Sequence, residues 1–178
     1  MAKGETAAQR FVRLNKVAGT FHEIDVPKDR KTSALEMAAA SGIDPARLFK
    51  TLILETAEGK LACAIVPASR DLDRKALARE LGTKRVDLAP KDKAVKTSGY
   101  EMGACSPLGQ KKKLPTFIDE SAKGFETVFV SGGAYGLELE IAPEELARAA
   151  EAVASAALLA RRARSSDSES ARLSRTNL

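Results

Sequence analysis

The feature that most restricts the fold is a pair of apolar stretches joined by a short turn. Residues 50–55 and 61–67 are rich in Leu, Ile, Val and Ala, and residues 57–59 between them are Ala-Glu-Gly. Apolar runs of this length on either side of a glycine-containing turn predict two strands of a β-hairpin. Further strands are predicted over residues 20–26, 86–89, 116–119, 127–130 and 137–141.

Helix signals lie between the strands. Residues 5–17 place apolar side chains at helical spacing, and Ser33 with Glu36 forms a capping box for a helix that ends near Gly42. Asp44, followed by a proline, predicts one short helical turn. Other helices are predicted from Asp71 or Asp73 to Gly82, over residues 90–98, and from Pro143 along an alanine-rich run to about Arg162.

The order of these elements indicates the fold class. Helices and strands are intermixed but do not alternate strictly, as a parallel doubly wound sheet would require. We therefore predict a single α+β domain with a mixed sheet over residues 1–160. Residues 161–178 consist mainly of Ser, Arg, Asp and Glu, with almost nothing apolar, which is typical of a disordered tail.

The net charge of +5 is weak evidence for a nucleic-acid partner. Residues 161–178 contain five Arg against Asp167 and Glu169, which leaves only +2 for residues 1–160. Aromatic residues make up 4% of the chain, so platforms for stacking single-stranded bases are not expected. No apolar run approaches the roughly 20 residues of a transmembrane helix, and the first residues lack a signal-peptide pattern, so we expect a cytoplasmic protein with no membrane contact.

Lys50 is the first candidate functional residue. Alternation along a strand places it on the same face as Leu52 and Leu54, with Thr51 on the other face. Burial of an unpaired ammonium is costly, so this lysine must reach an edge, find a partner or line a pocket. The alternative is a lysine whose stem packs at the start of the strand while its ammonium reaches water.

The glycine-rich stretch 99–109 is the second candidate. Its backbone can approach a ligand closely, and free N–H groups in such a loop can bind a carbonyl oxygen or a phosphate. A structural turn is an equally good interpretation. Lysines 111–113 could contact phosphates, although a solvated basic turn is the commoner case. The turn that begins at Ser131 is too common in sequence to be specific, and solvent exposure is the default for Glu138 and Glu140.

Several chemistries are not supported by the residues present. His22 is the only histidine, so neither a histidine-based metal cluster nor a Ser-His-Asp triad is indicated, and we expect no metal and no other cofactor. Cys63 lies in an apolar run, where a thiol behaves as a small hydrophobe. Cys105 could be a nucleophile, although no base beside it is evident. A disulfide between the two is not expected in a reducing compartment.

In order and spacing, these segments resemble the YbaK/EbsC family of Cys-tRNA(Pro) deacylases, which are related to the editing domain of bacterial prolyl-tRNA synthetase. The resemblance spans about Thr6 to Ala149. It implies an open-barrel-like, largely antiparallel mixed sheet with flanking helices, and a metal-free pocket for the aminoacylated 3′ end of tRNA. It also implies tRNA as a partner, with prolyl-tRNA synthetase as a further one. The matching segments are Asp44-Pro-Ala-Arg-Leu-Phe-Lys-Thr-Leu52, Asp71-Leu-Asp73, Gly99-Tyr100, Ser106-Pro-Leu-Gly-Gln-Lys-Lys112, Leu114-Pro-Thr116, Val130-Ser-Gly-Gly133 and Gly136-Leu137.

The resemblance implies a set of site residues. The essential lysine of the family falls on Lys50 and its glycine–proline loop on residues 103–107, so Lys50, Gly103 and Ser106 are the expected catalytic residues. Ile24 stands where many relatives have tyrosine, and Glu138 where the cysteine-specific members have aspartate. The expected substrate-binding residues are His22, Ile24, Thr51, Tyr100, Ala104, Cys105, Pro107, Ser131, Gly132 and Glu138.

The expected reaction is hydrolysis of a mischarged aminoacyl-tRNA, with Cys-tRNA(Pro) as the first candidate. Because the ester is already activated, positioning and oxyanion stabilisation supply much of the rate. Backbone amides near Gly103 and Ser106 are expected to hold the carbonyl, and Lys50 to anchor the 3′ end. In the family, the thiol of the substrate is the implied attacking group. Three alternatives remain: a deacylase for another small amino acid such as alanine, a non-hydrolytic module that binds aminoacyl-tRNA or a nucleotide, and a hydrolase that uses Cys105.

Overall fold

The computed structural model describes residues 4–27, 29–156 and 158–159, which form an α+β domain as predicted. Within these residues no helix has the length and apolar character needed to cross a membrane. The α-helices are α1 (Ala7–Leu14), α2 (Ala34–Ser41), α3 (Arg74–Leu81), α4 (Lys91–Ser98) and α5 (Pro143–Ala150), with a short 3-10 helix at Glu120–Gly124. The strands are β1 (Gly19–Glu23), β2 (Phe49–Thr56), β3 (Leu61–Pro67), β4 (Val86–Leu88), β5 (Thr116–Asp119), β6 (Val128–Ala134), β7 (Leu137–Ile141) and β8 (Ala152–Ser155).

Local sequence signals account for most helix starts. The capping box predicted at Ser33 and Glu36 is confirmed, since each side chain accepts a hydrogen bond from the backbone N–H of the other residue. Asp73, rather than Asp71, caps α3 by accepting from the N–H of Ala76 at 3.0 Å. Thr6 forms a second capping box at the start of α1, and its hydroxyl also donates to the carbonyl of Gly132 at 2.7 Å. That bond ties α1 to the end of β6.

The strands form two sheets in the described part of the chain. One is antiparallel with the order β1-β7-β6, and the other is mixed with the order β4-β2-β3-β5-β8. The predicted hairpin of β2 and β3 is confirmed, with Lys50 opposite Val66. The pairs β3–β5 and β5–β8 are parallel. The sheets are not closed on each other, which leaves room between them.

The two sheets meet at the start of β2. Leu48 forms an isolated parallel bridge with Phe129 on β6. The N–H of Phe129 donates to the carbonyl of Arg47 at 2.8 Å, while the N–H of Ala68 donates to the carbonyl of Leu48 at 2.7 Å. Beyond this junction the two sheets diverge: among the described residues β6 makes no further bridge to β2, and β4 joins the same edge of β2 only from Leu54 onward.

The prediction of one helix from Pro143 to about Arg162 is wrong. Helix α5 ends at Ala150 because Glu151 adopts a left-handed conformation, with φ of 50°. Residues 152–155 then pair with β5 as strand β8, although their alanine-rich composition favours a helix locally. These residues form a strand because the edge of β5, which is distant in sequence, is open for pairing. The end of the predicted helix and the predicted disordered tail, residues 160–178, lie outside the described residues.

Two apolar clusters hold these elements together. The larger one packs α1 and α5 against the antiparallel sheet and the inner side of β3, with Val12, Leu139 and Leu146 among its buried members. The second packs α3 against β2 and β3, and Leu158 from the segment after β8 is fully buried in it. The chain after α5 therefore contributes to the core.

Replacement of Leu158 by alanine should lower the free energy of unfolding by about 2–5 kcal/mol, because a fully buried leucine leaves a cavity when it is truncated. Val153→Ala is the matched control, since Val153 lies on β8 with 62% of its surface exposed, and should cost less than about 1 kcal/mol. Urea denaturation of both variants measures the difference. Equal, small effects would contradict the packing of this segment.

Candidate functional site

A cavity of about 290 Å³ lies where the two sheets diverge. Its walls come from β2, β6 and β7, the first turn of α2, and helix α4 with the loop that follows it. Seven of the residues that the sequence singles out line it: Lys50, Thr51, Tyr100, Gly103, Cys105, Ser131 and Glu138.

Lys50 reaches this cavity because it lies just beyond the point where the two sheets meet. It lies two residues beyond Leu48 on β2, and Ser131 lies two residues beyond Phe129 on β6. Ser131 in turn stands opposite Glu138 across the β6–β7 pair. Lys50, Ser131 and Glu138 therefore lie on three strands around one space. Among the described residues, the ammonium of Lys50 has no ion-pair partner.

Glu138 is buried, against the default expectation of a solvated glutamate. Only 5% of its surface is exposed, and this burial raises the pKa of its carboxyl group from the ordinary 4.5 to about 7. Its neighbour on the same strand face, Glu140, lies in a different setting. Hydrogen bonds from Thr127 and His22 lower the pKa of Glu140. The buried carboxyl group of Glu138 thus titrates near neutral pH inside the cavity.

The edge of β2 also presents backbone polar groups to the cavity. The bonds from Ala68 N–H to the Leu48 carbonyl and from Thr56 N–H to the Lys60 carbonyl show that even-numbered residues of β2 direct their backbone groups to β3. The backbone N–H and C=O groups of the odd-numbered residues, including Thr51, point to the opposite edge of β2. On that edge the Ile53 carbonyl accepts from Ala89, and β6 meets the chain at the Leu48 bridge and at the Arg47 carbonyl. Within the described residues, no strand covers Thr51 there.

Two hydroxyl groups in the cavity wall have no hydrogen-bond partner among the described residues. They are the buried Oγ1 atoms of Thr51 and Thr32. Buried polar atoms are nearly always paired, so these two oxygens are exceptions, although neither atom is itself accessible from the cavity. Thr51 is a predicted substrate-binding residue, whereas Thr32 was missed. Nothing in the local sequence marks Thr32, because its place in the wall depends on how the segment before α2 packs.

Internal hydrogen bonds organise the loop after α4. The hydroxyl of Tyr100 donates to the Leu108 carbonyl at 2.6 Å, and the Ser106 hydroxyl accepts from the Leu108 N–H at 3.2 Å. The side-chain amide of Gln110 donates to the Ser106 carbonyl at 3.0 Å. Ser106 is fully buried and does not line the cavity, so its hydroxyl stabilises the loop.

Gly103 and Cys105 present the loop backbone to the cavity. Gly103 has φ of 86°, and a Cβ atom there would meet open space, so the loop requires glycine for its conformation rather than for packing. Among the described residues, the N–H groups of Gly103 and Cys105 donate to no acceptor. Both residues line the cavity, whereas Ser106 does not.

Six expected site residues do not line the cavity: His22, Ile24, Ala104, Ser106, Pro107 and Gly132. His22 bonds to Glu140 at 2.8 Å, and Ile24 packs against the apolar cluster that contains Met37. A Cβ atom on Gly132 would lie 2.7 Å from Leu137, so this glycine is needed for packing.

The two thiols lie in settings that disfavour nucleophilic chemistry. Burial raises the pKa of Cys105 to about 11 and that of Cys63 to about 12, so both are thiols at neutral pH. Neither cysteine is in a disulfide. Within the described residues, no group of three or more His, Cys, Asp or Glu side chains is arranged to hold a metal ion.

Comparison with known proteins agrees with the fold. Residues 28–149 match the family described as the aminoacyl-tRNA editing domain. The chain is 35% identical over 142 residues to EbsC of Enterococcus faecalis, a provisionally named Cys-tRNA(Pro)/Cys-tRNA(Cys) deacylase, which covers 80% of this chain and 86% of that protein. It is also 30% identical over 145 residues to the proline–tRNA ligase of Syntrophotalea carbinolica, which covers 76% of this chain but only 24% of the ligase.

Solved structures show the same fold. A provisionally named trans-editing enzyme for prolyl-tRNA synthetase superimposes with a TM-score of 0.76 at 23% identity, over 89% of this chain and all of that one. The matched family covers the helix α2, the β2–β3 hairpin, the loop after α4 and the β6–β7 pair, which together build the cavity. The chain therefore belongs to the aminoacyl-tRNA editing domain family.

Proposed function

We propose that this protein deacylates mischarged aminoacyl-tRNA in trans, with Cys-tRNA(Pro) as the main substrate. The observation that carries the proposal is Lys50, an ammonium without an ion-pair partner among the described residues, in the wall of a mainly apolar cavity. Such a group stabilises negative charge that develops in a bound ester, and it does so more strongly where water is excluded. The assigned activity of EbsC supports the choice of substrate.

The cavity suits a small amino acid. Its volume is about 290 Å³, near the lower end of the range for ligand pockets, and Ile53, Ala89 and Cys105 form part of its wall. A synthetase pocket separates small, nearly isosteric side chains by only a few kcal/mol, which is why a second, hydrolytic site is needed. Alanine is the next candidate side chain, because it too would fit this space.

The proposed mechanism needs no residue of the protein as a nucleophile. The N–H groups of Gly103 and Cys105 hold the carbonyl oxygen, and Lys50 stabilises the charge that develops on the ester. With a cysteinyl ester, the substrate thiol loses its proton and attacks its own carbonyl carbon. A C–S bond forms, the C–O bond to the ribose breaks, and the ribose oxygen takes up a proton, which releases a cyclic thioester. With alanine, water attacks instead.

Glu138 is the proposed partner of the α-amino group of the substrate. Its carboxyl group lines the same cavity as Lys50, and its buried position favours a cationic partner once it is ionised. The extra methylene of glutamate relative to aspartate changes the reach of this group, so it bears on which amino acid is accepted.

The proposed partners are tRNA and prolyl-tRNA synthetase. The match to proline–tRNA ligases supports the second, because the same domain lies within those longer proteins. Aminoacyl-tRNA is made in the cytoplasm, which is the location that we propose for this chain.

Lys50→Ala should lower kcat/KM for Cys-tRNA(Pro) deacylation by roughly 30- to 1000-fold, which corresponds to about 2–4 kcal/mol of transition-state stabilisation. Lys50→Arg should be nearly as damaging, because the wider guanidinium keeps the charge but not the fit. Deacylation assays with charged tRNA measure both variants. Lys60→Ala, at the exposed turn of the β2–β3 hairpin, is the control and should be unaffected. Wild-type turnover by the alanine variant would remove Lys50 from the mechanism.

Cys105→Ser should retain most of the deacylase activity. The pKa of about 11 leaves very little thiolate at neutral pH, so this thiol contributes shape rather than chemistry. The same charged-tRNA assay, with circular dichroism as a check on folding, measures the effect. A folded serine variant without turnover would instead support the alternative of a thiol-dependent hydrolase.

Glu138→Gln should change how stability depends on pH. The carboxyl group ionises near pH 4.5 in the unfolded chain but only near pH 7 in the folded one, so the folded state binds the extra proton between these values. The stability that this proton contributes in the wild type is therefore complete below about pH 4.5 and lost as the pH rises through about 7. Relative to the wild type, the glutamine variant should gain ~2 kcal/mol between about pH 5.5 and pH 8.

Thermal and urea unfolding at the two pH values test this expectation. The activity of the variant provides a second measurement, because only the ionised carboxylate can bind an ammonium. The wild-type kcat/KM should rise with a midpoint near pH 7, and the glutamine variant should lack this rise on the same substrate. Parallel stability curves for the two proteins would show that Glu138 does not titrate in the cavity.

A further inference from the structure

Three exposed lysines beside the cavity take no part in the mechanism above. They are Lys96, Lys111 and Lys112, here called the lysine cluster. Among the described residues, their ammonium groups have no ion-pair partner and no hydrogen-bond acceptor. Lys113 follows them in the chain but is paired with Glu151. The cluster therefore presents three positive charges that the described part of the chain does not neutralise.

Backbone hydrogen bonds hold the cluster against the wall of the cavity. The N–H of Lys111 donates to the Ser98 carbonyl at 3.0 Å, and the N–H of Lys112 donates to the Thr97 carbonyl at 3.1 Å. Lys96 lies in the same last turn of α4. Because Ser98 also lines the cavity, one turn of helix forms part of the cavity wall and binds the lysine-bearing segment.

Gly99 sets the position of the Lys111 side chain. This glycine has φ of 80°, and a Cβ atom on it would lie only 2.9 Å from Cγ of Lys111. The stem of the lysine thus packs over the glycine, while the exposed side chain leaves the ammonium in water. The next residue, Tyr100, lines the cavity. Lys111 is therefore anchored one residue away from the cavity wall.

The basic residues on another side of the cavity are already engaged. On the segment that leads into α2, Arg30 is paired with Glu36. The ammonium of Lys31 donates to the carbonyl of Met102 at 3.2 Å. Of these two sides of the cavity, the lysine cluster is the one whose charge is available to an external anion.

We propose that the lysine cluster binds the sugar–phosphate backbone of the tRNA acceptor arm while the aminoacylated 3′ end occupies the cavity. This inference rests on the proposed function and adds the surface on which the rest of the substrate lies. A polynucleotide that ends in the cavity must carry its next phosphates over the adjoining surface, where exposed cations attract them. Lysines bind phosphates as point charges and read no base edges, so the cluster supplies affinity rather than tRNA identity.

The test compares two substrates at several salt concentrations. The double variant Lys111→Ala/Lys112→Ala should make the dependence of log kcat/KM on log salt for Cys-tRNA(Pro) less steep by roughly 1.5–2, because about one counterion is released per phosphate contact. Its loss of kcat/KM relative to the wild type should therefore be about 10-fold greater at ~50 mM than at ~200 mM salt. The cysteinyl ester of adenosine, which has no acceptor arm, should be deacylated as by the wild type.

The matched control removes two positive charges from the other side of the five-stranded sheet. Helix α4 shares an apolar cluster with Ile53, and α3 shares one with Leu54. Neighbouring residues of a strand point to opposite faces, so the two helices lie on opposite faces of the sheet. Lys75→Ala/Arg79→Ala, at exposed positions of α3, should leave the salt dependence with Cys-tRNA(Pro) unchanged.

Two further variants separate charge from folding. Lys111→Arg/Lys112→Arg keeps both charges and should retain most of the activity on Cys-tRNA(Pro), in contrast to the arginine variant of Lys50. Lys96→Ala/Lys112→Ala leaves the stem of Lys111 over Gly99 and should reproduce the loss seen with the first double variant. It provides the test if truncation of Lys111 lowers the melting temperature.

Several results would overturn the inference. One is an unchanged salt dependence with Cys-tRNA(Pro), and another is an equal loss on the adenosine ester, because the effect would then pass through the cavity itself. Unchanged tRNA turnover together with weaker binding to prolyl-tRNA synthetase would assign the cluster to a protein partner instead. A wild-type protein that deacylates neither substrate contradicts the proposed function, whereas the other results leave that function intact.

Discussion

The bridge between Leu48 and Phe129 is the contact on which the cavity depends. At this point the chain bonds to β6 through the Arg47 carbonyl and to β3 through the Leu48 carbonyl, so one short segment holds both sheets. Further along β2, the next strand on the open edge begins only at Leu54. A gap between diverging strands follows from this geometry, and residues 50–53 line it.

This gap brings together polar groups that a packed core would exclude. The residues Lys50, Glu138, Thr32 and Thr51 line a mainly apolar space, and their side chains form no ion pair or hydrogen bond among the described residues. Burial raises the pKa of Glu138 because the charged carboxylate loses its hydration there. Binding sites commonly carry such a cost, which a ligand offsets, and the surrounding core supplies the stability.

A second polar group of residues lies on the antiparallel sheet outside this cavity. Glu140 accepts hydrogen bonds from Thr127 at 2.7 Å and pairs with His22 at 2.8 Å. The guanidinium of Arg47 lies over the Phe129 ring, 5.1 Å from its centroid. The charge of Glu140 is therefore satisfied outside the cavity. Although Glu138 and Glu140 share a strand face, their surroundings give their carboxyl groups opposite pKa shifts.

The sequence by itself determined the α+β class, the β2–β3 hairpin, the Ser33 capping box and the strand position of Lys50, because each depends on neighbours a few residues apart. The glycine-rich loop was a candidate from the sequence alone, and the family resemblance assigned roles to its residues and to Glu138. Only the tertiary structure decided that alanine-rich residues 152–155 form a strand, since the edge of β5 lies far away in the chain. It also decided which residues share the cavity. Thr32 joins it, and His22 and Ser106 do not, because those positions depend on how the segment before α2, the loop after α4 and the diverging sheets pack together.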